Sequence, residues 1–208
     1  MIIIDAEQYS NAWWAERIGK PTASNFHKII GTKGNPSKSA EAYMYQLAIE
    51  NITNEYAGKE FQGYAMKRGL ELEPEARNIF SLIMVMEVKQ VGMIYKDEQK
   101  KYSASPDGLM KNTGLEIYCP EAASAGYCFT HPDKAVKHAK KFQQIQGTMF
   151  IGGFQTYYFM CYFPKMTPLI LKVEWDEEFI EKLDQALDKF CMDLVMLIRK
   201  LKGGIKDG

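Results

Sequence analysis

Apolar side chains recur along this chain at two spacings, and the switches between them predict its elements. Residues 5–18 carry a helical pattern that ends at Gly19-Lys20-Pro21. Thr22 or Ser24 then offers a cap for a short helix from Asn25 to Ile30. Gly31 to Ser37 is rich in turn formers and reads as a loop. Ala40, Tyr43 and Leu47 share one face of a helix from Ser39 to about Asn51. A further helix is predicted from about Glu71 to Met86, with Pro74 in its first turn, where a missing N–H costs little. The spacing then shortens to that of strands, predicted over 88–95, 101–104, 108–110 and 115–119. Lys111-Asn112-Thr113-Gly114 reads as a hairpin turn in which Asn or Gly supplies positive φ. Residues 121–133 read as an irregular loop, and 134–150 as a basic helix. Strands over 152–163 and 168–175 precede a last helix from Asp176, where Phe179, Leu183, Leu187, Phe190, Leu194, Leu197 and Leu201 form one apolar stripe. This order predicts an α/β fold, a mixed central β-sheet flanked by helices.

Composition narrows the class. The chain has 208 residues, of which 46% are hydrophobic, enough for one domain (1–208) with a sizeable core. The 26 basic and 26 acidic side chains cancel, which excludes a protein that coats nucleic acid through bulk positive charge. Any contact with phosphates must use local patches. Cys119, Cys128, Cys161 and Cys191 form no C-x-x-C pair, so reduced thiols are expected rather than a zinc knuckle. The N-terminal apolar run is too short for a signal peptide, and no stretch approaches the ~20 apolar residues that span a bilayer. A cytoplasmic protein without membrane contact is the expectation.

The chemistry concentrates in Ser105-Pro106-Asp107-Gly108-Leu109 and Gly114-Leu115-Glu116-Ile117-Tyr118-Cys119-Pro120. Two short strands joined by a polar turn would each bring one carboxylate to a shared point. Magnesium takes oxygen ligands and needs only one or two protein carboxylates. Asp107 and Glu116 are that minimal set, and the carbonyl of Ile117 can add a third ligand. Read alone, the pair is also compatible with an ordinary turn and an exposed strand residue.

The longer pattern resembles the phage lambda exonuclease family, the YqaJ-like viral recombinases of the PD-(D/E)XK nuclease superfamily. Trp13-Trp14-x-x-Arg17-x-Gly19-x-x-Thr22-Ala23-Ser24 is similar to the family's N-terminal motif. Pro36-Ser37-x-Ser39 with Tyr43-Met44 resembles the helix after it, and Arg68-Gly69-x-x-x-Glu73-x-x-Ala76-Arg77 its central helix. The two strand segments resemble the metal site, and Gln144-Ile145-Gln146-Gly147-x-Met149 the helix that follows. The resemblance implies a restriction-endonuclease-like core and a 5′→3′ exonuclease of phage or prophage recombination in a bacterial host. Such an enzyme degrades duplex DNA ends, releases 5′-mononucleotides and leaves 3′ single strands. It also implies Asp107, Glu116 and Ile117 as ligands of magnesium, with manganese as a substitute and two ions per site. Glu73 would be a further acid at the site, Gln144 would orient water or phosphate, and Arg17, Thr22, Ser24 and Ser105 would hold the terminal 5′-phosphate. A homotrimer around double-stranded DNA and a single-strand annealing protein as partner are implied in the same way.

Tyr118 stands where the family motif carries a catalytic lysine. A phenol with an ordinary pKa near ~10 is neutral at pH 7 and supplies no positive charge. Three readings stay open: a catalytically impaired DNA-end-binding protein, a relocated cation, or a tyrosine introduced into a normal enzyme. Lys134, Lys137, Lys140 and Lys141 stand on the predicted basic helix, and Lys137, Lys141 and Gln144 share a helical face. Their other reading is a solvated or DNA-backbone-binding face. The segment Glu121 to Cys128 has no arginine or lysine to supply a second phosphate contact. A sequence-specific endonuclease on the same core is a third functional class.

Overall fold

The structure, a computed structural model, describes residues 1–57 and 63–204. Three consecutive isoleucines open the chain as a strand, β1 (Ile2–Ile4), an element the sequence pattern does not predict. It pairs antiparallel with β2 (Met93–Tyr95), which pairs antiparallel with β3 (Ser103–Ala104). The helix predicted from residue 5 begins only at α1 (Asn11–Arg17), because Tyr9 takes a left-handed φ of 68° and Ser10 caps the Trp13 N–H. Residues 23–28 form a 3-10 helix (Ala23–Lys28) preceded by Thr22, whose side chain makes no cap bond. Next comes α2 (Ala40–Thr53), ended by Asn54 in the left-handed region.

The central helix α3 (Tyr64–Met84) starts well before the predicted Glu71, so Pro74 lies in its interior and not in its first turn. The second sheet follows. β4 (Gly108–Met110) and β5 (Thr113–Tyr118) form an antiparallel hairpin, β5 pairs parallel with β6 (Thr156–Cys161), and β6 antiparallel with β7 (Leu169–Glu174). The sheet is mixed, as the pattern predicts. The hairpin turn needs no positive φ at Lys111 or Asn112. Gly114 is small for another reason, since a Cβ there would run into the Tyr157 ring. The predicted strand over 88–95 shortens to β2, with residue 89 bridging Leu109 in isolation.

Residues 121–133, read as loop, contain the helix α4 (Ala122–Thr130). Its alanines, serine and glycine leave a weak period but no obstacle to helix. The predicted basic helix is two helices, α5 (Pro132–His138) and α6 (Phe142–Gly152), broken where Lys140 takes a φ of 58°. The long α7 (Glu177–Gly204) closes the chain.

Helices cover both faces of the mixed sheet. On one, Ala76 and Phe80 of α3 pack on Leu115, Ile117 and Met160. On the other, Ile145 and Met149 of α6 and Leu183 and Leu187 of α7 join Phe26 and Phe159 in the larger core. The α7 stripe is buried from Phe179 to Leu194, with Phe190 stacked on Tyr43 of α2 at 5.8 Å. Trp13 is core, at 5% exposure, as its size suggests. Among the described residues no helix is long and apolar enough to cross a membrane, and all four cysteines are free.

Candidate active site

The β4–β5 register sets the site. Gly108 faces Leu115, and one step further the Asp107 N–H donates to the Leu115 carbonyl at 3.1 Å, which puts Asp107 opposite Glu116. Cross-strand neighbours of this kind bring their side chains together. Strand alternation sends Leu115 and Ile117 into the α3 side of the core and Glu116 and Tyr118 to the other face. The Ile117 N–H donates to Asp107 Oδ2 at 2.6 Å and fixes that carboxylate. Glu116 is 1% exposed.

Two further elements meet this pair. From α3, Glu73 and Arg77 lie one turn apart and form an ion pair, and Arg77 Nε donates to the Asp107 carbonyl at 2.5 Å. Glu73 sits mid-helix, so it does not serve a helix N-terminus. From α6, Gln144 Nε2 donates to Glu116 Oε2 at 2.8 Å, and Lys141 Nζ to Glu116 Oε1 at 2.6 Å and Gln144 Oε1 at 3.0 Å. Gly147 sets the seat of this helix, since a Cβ there would strike the Phe26 ring. The other glutamine of the pair, Gln146, is structural: it donates to the Glu174 carbonyl and accepts from the Asp176 N–H.

Three carboxylates thus share the site with two cations. Burial, and then repulsion from Asp107, pushes Glu116 up to about 8 and Glu73 to about 7. Burial also raises Asp107, against the pull of Lys141. Burial pulls Lys141 down, but Glu116 and Asp107 outweigh it and hold the ammonium above its ordinary range. Among the described residues no three acids, histidines or cysteines close around one point tightly enough to cage an ion by themselves. The donor set still suits a hard cation that keeps most of its water: two opposed carboxylates, oxygen only, with an excess of negative charge.

These acids and Arg17 line one cavity of about 730 Å³. Arg17 is 7% exposed, its guanidinium lies 4.4 Å from the Trp13 ring centre, and its NH2 group donates to Thr22 and Ser24 at 3.2 and 3.3 Å. Its Nε is buried without a partner, and among the described residues no carboxylate pairs with it. A buried guanidinium without an anion is costly unless a ligand supplies one. Ser24 and Ser105 line the cavity. Thr22 does not, and acts by holding Arg17. Ser105 Oγ accepts from Trp13 Nε1 at 3.0 Å.

Tyr118 lines the cavity too, stacked on Phe159 with Ser124 beside its hydroxyl, and burial raises its pKa, so it stays neutral. Arg77 and Tyr9, which also lines the cavity, were not legible as site features, whereas Lys141 is one of the lysines that the helical spacing with Gln144 could bring to the site, and it does reach Glu116. Arg77 had a usable signal, its place one helical turn after Glu73. Tyr9 had none, because its position depends on the turn before α1. Lys134, Lys137 and Lys140 are exposed, and the last two line a second cavity of about 390 Å³ with His27.

Comparison with known proteins identifies the family and the fold. Residues 12–155 match the model of the YqaJ-like viral recombinase domain. The crystal structure of an alkaline exonuclease, LHK-Exo, from Laribacter hongkongensis superposes with a TM-score of 0.82 at 26% identity, covering 94% of this chain and 98% of that one. The same exonuclease in complex with dAMP gives 0.82 at 27% identity, with the same coverage. A phage-related exonuclease from Haemophilus somnus 129PT shares the fold, with a TM-score of 0.68 at 16% identity over 88% of this chain and 96% of that one. No curated protein matches the chain.

Proposed function

The chain belongs to the YqaJ-like viral recombinase family and is a nuclease of the phage exonuclease type; from that premise we propose that it degrades linear duplex DNA from 5′-phosphorylated ends. One observation carries this reading. One cavity is lined both by a buried guanidinium that has no counter-anion among the described residues and by two opposed carboxylates. A terminal phosphate on Arg17 would bring a nearby phosphodiester to the acids.

Asp107 and Glu116, with the Ile117 carbonyl, would hold magnesium, and Glu73 would hold water of a second ion. A metal held there would polarise the scissile phosphate and lower the pKa of the attacking water. Gln144, which bonds Glu116, would orient that water or a phosphate oxygen. Arg77 holds Glu73 and the Asp107 backbone in place. Water attacks phosphorus, the bond to the leaving 3′-oxygen breaks, and that oxygen takes a proton. The mononucleotide departs, and the shortened strand presents a new 5′-phosphate for Arg17. The repeated creation of the group that Arg17 binds favours successive 5′→3′ cutting and a 3′ overhang.

A homotrimer around DNA and a single-strand annealing partner belong to the same proposal. Exposed Leu82 and Val85 at the end of α3, and Met192 and Met196 on α7, are apolar surface that a second copy would cover. The second reading, an end-binding protein that cuts poorly, draws on one observation, the neutral Tyr118 in the strand after Glu116.

The test is digestion of linear duplex with a 5′-phosphate or a 5′-hydroxyl, with magnesium or EDTA, followed by chromatography of the products. Magnesium-dependent release of 5′-mononucleotides, faster from the phosphorylated end, is expected. Discrete fragments would mean an endonuclease, and end binding without product would mean the second reading.

A further inference from the structure

The acid pair has two cationic neighbours, and they differ in freedom. Arg77 is spent on Glu73 and the Asp107 carbonyl. Lys141 is a compact point charge whose ammonium makes two placed bonds, both to site residues, and whose side chain keeps 25% of its surface open. It lines the cavity together with Asp107, Glu116 and Gln144. Its backbone is held as firmly as its head. The Lys141 N–H donates to the Val136 carbonyl at 3.0 Å, and the Lys141 carbonyl accepts from Ile145 at 2.9 Å. The left-handed turn at Lys140 produces this position by breaking α5 from α6 and starting α6 beside Glu116.

The placement costs stability twice. A lysine at the N-terminal end of a helix meets the positive end of the helix dipole. Packing its side chain against a buried acid removes water from both. Local conflicts of this sort concentrate where function requires them. Tyr118, on the strand face shared with Glu116, offers no charge to do the work instead.

We propose that Lys141 is the catalytic cation of this site, delivered from the start of α6 and not from the strand that carries Glu116. In the metal-free protein it rests against Glu116. With cation and DNA bound it yields Glu116 and turns its ammonium to the scissile phosphate, while Gln144 keeps it beside the acids. The inference rests on the nuclease reading and removes the objection that Tyr118 raises against it.

The test compares the full chain with Lys141→Met, Lys141→Arg, Tyr118→Lys and the double variant Tyr118→Lys/Lys141→Met. Single-turnover digestion of 5′-phosphorylated duplex in magnesium is measured beside end binding in calcium and magnesium titration by calorimetry. The unaltered chain should cut. Lys141→Met should lose ~10²–10³-fold in rate, as for one lost electrostatic stabiliser, with end binding retained. It should bind magnesium more tightly, because no ammonium has to leave Glu116. Lys141→Arg should keep a large share of the rate, and the double variant should regain it. Thermal unfolding of each variant separates lost chemistry from lost folding, and the double variant retains the proposal's test where Lys141→Met folds poorly. A Lys141→Met enzyme that cuts as fast as the unaltered chain overturns the inference and leaves the nuclease reading standing. Cutting by Tyr118→Lys but not by the unaltered chain overturns it too. Absence of cutting in every variant, with folding intact, overturns both.

Discussion

Replacing Glu116 with glutamine should stabilise the metal-free protein at neutral and alkaline pH. Glu116 is 1% exposed, and burial with repulsion from Asp107 raises it from an ordinary 4.5 to about 8. Between those values the folded state binds a proton that the unfolded chain has released. Its contribution to stability is therefore complete below the unfolded value and is lost as pH rises through about 8. At about 1.4 kcal/mol per unit, the shift sets an upper limit of roughly 5 kcal/mol. Sharing of the charge with Lys141 and entry of water from the cavity should leave about 2–3 kcal/mol. For a chain of this size that is a difference of roughly 5–10 °C in melting temperature. The assay is calorimetric unfolding in EDTA from pH 5.5 to 8.5, with Glu116→Gln beside the unaltered chain. The unaltered chain should lose stability relative to the variant as pH rises, and the comparison cancels the opposite slope of His27, whose pKa burial lowers. Magnesium at ~100 times its Kd should return about 2.7 kcal/mol to the unaltered chain and little to the variant. Parallel curves for the two proteins in EDTA would refute the reasoning, because they would mean that Glu116 carries no desolvation strain in the folded state.

Arg17→Ala should raise KM for 5′-phosphorylated duplex by roughly 10- to 100-fold, the value of a charge-assisted phosphate contact, and leave 5′-hydroxyl duplex almost unaffected. Steady-state kinetics on the two substrates would check this, and an equal loss on both would remove Arg17 from the terminal phosphate. Gly147→Ala places a methyl group against the Phe26 ring where α6 meets the 3-10 helix, and should cost about 1–3 kcal/mol. Calorimetry should find the melting temperature lower by roughly 3–10 °C, and an unchanged value would show that the contact yields easily.

Much of the fold was legible because its signals are local. The α7 stripe, the β4–β5 hairpin and the helix around Ala40, Tyr43 and Leu47 each follow from spacing within one element. The failures are equally specific. The sequence pattern assigns residues 2–4 to no element, because the partner that makes them a strand, β2, lies some 90 residues later. Residues 122–130 lack a strong apolar period because α4 is short and only Ala125 and Cys128 are buried on it. The break at Lys140 has no glycine or proline to announce it. At the site, the acids could be read from the motif, since their convergence is fixed by hairpin register. Arg17 and Gln144 came from resemblance, and the structure puts both on the cavity wall. Thr22, expected near the phosphate, accepts from Arg17 and does not line the cavity, a distinction that depends on side-chain direction.

The position of Lys141 shows why a missing motif residue is weak evidence of a missing function. What phosphodiester chemistry requires is a charge at a place, and a place can be reached from any element that borders it. With all three acids ionised, the form a divalent ion would bind, Glu73, Asp107 and Glu116 against Arg77 and Lys141 leave one net negative charge for that ion to answer. Exchanging the cation between position 141 and position 118 keeps that balance. Placing lysines at both would cancel it and weaken the attraction for metal. Tyrosine at 118 and lysine at 141 are therefore a consistent pair: one neutral side chain packs the strand face on Phe159, and one cation serves the acids from the neighbouring helix. The strand motif records only half of that arrangement, and the other half depends on a backbone turn 22 residues later that no motif contains.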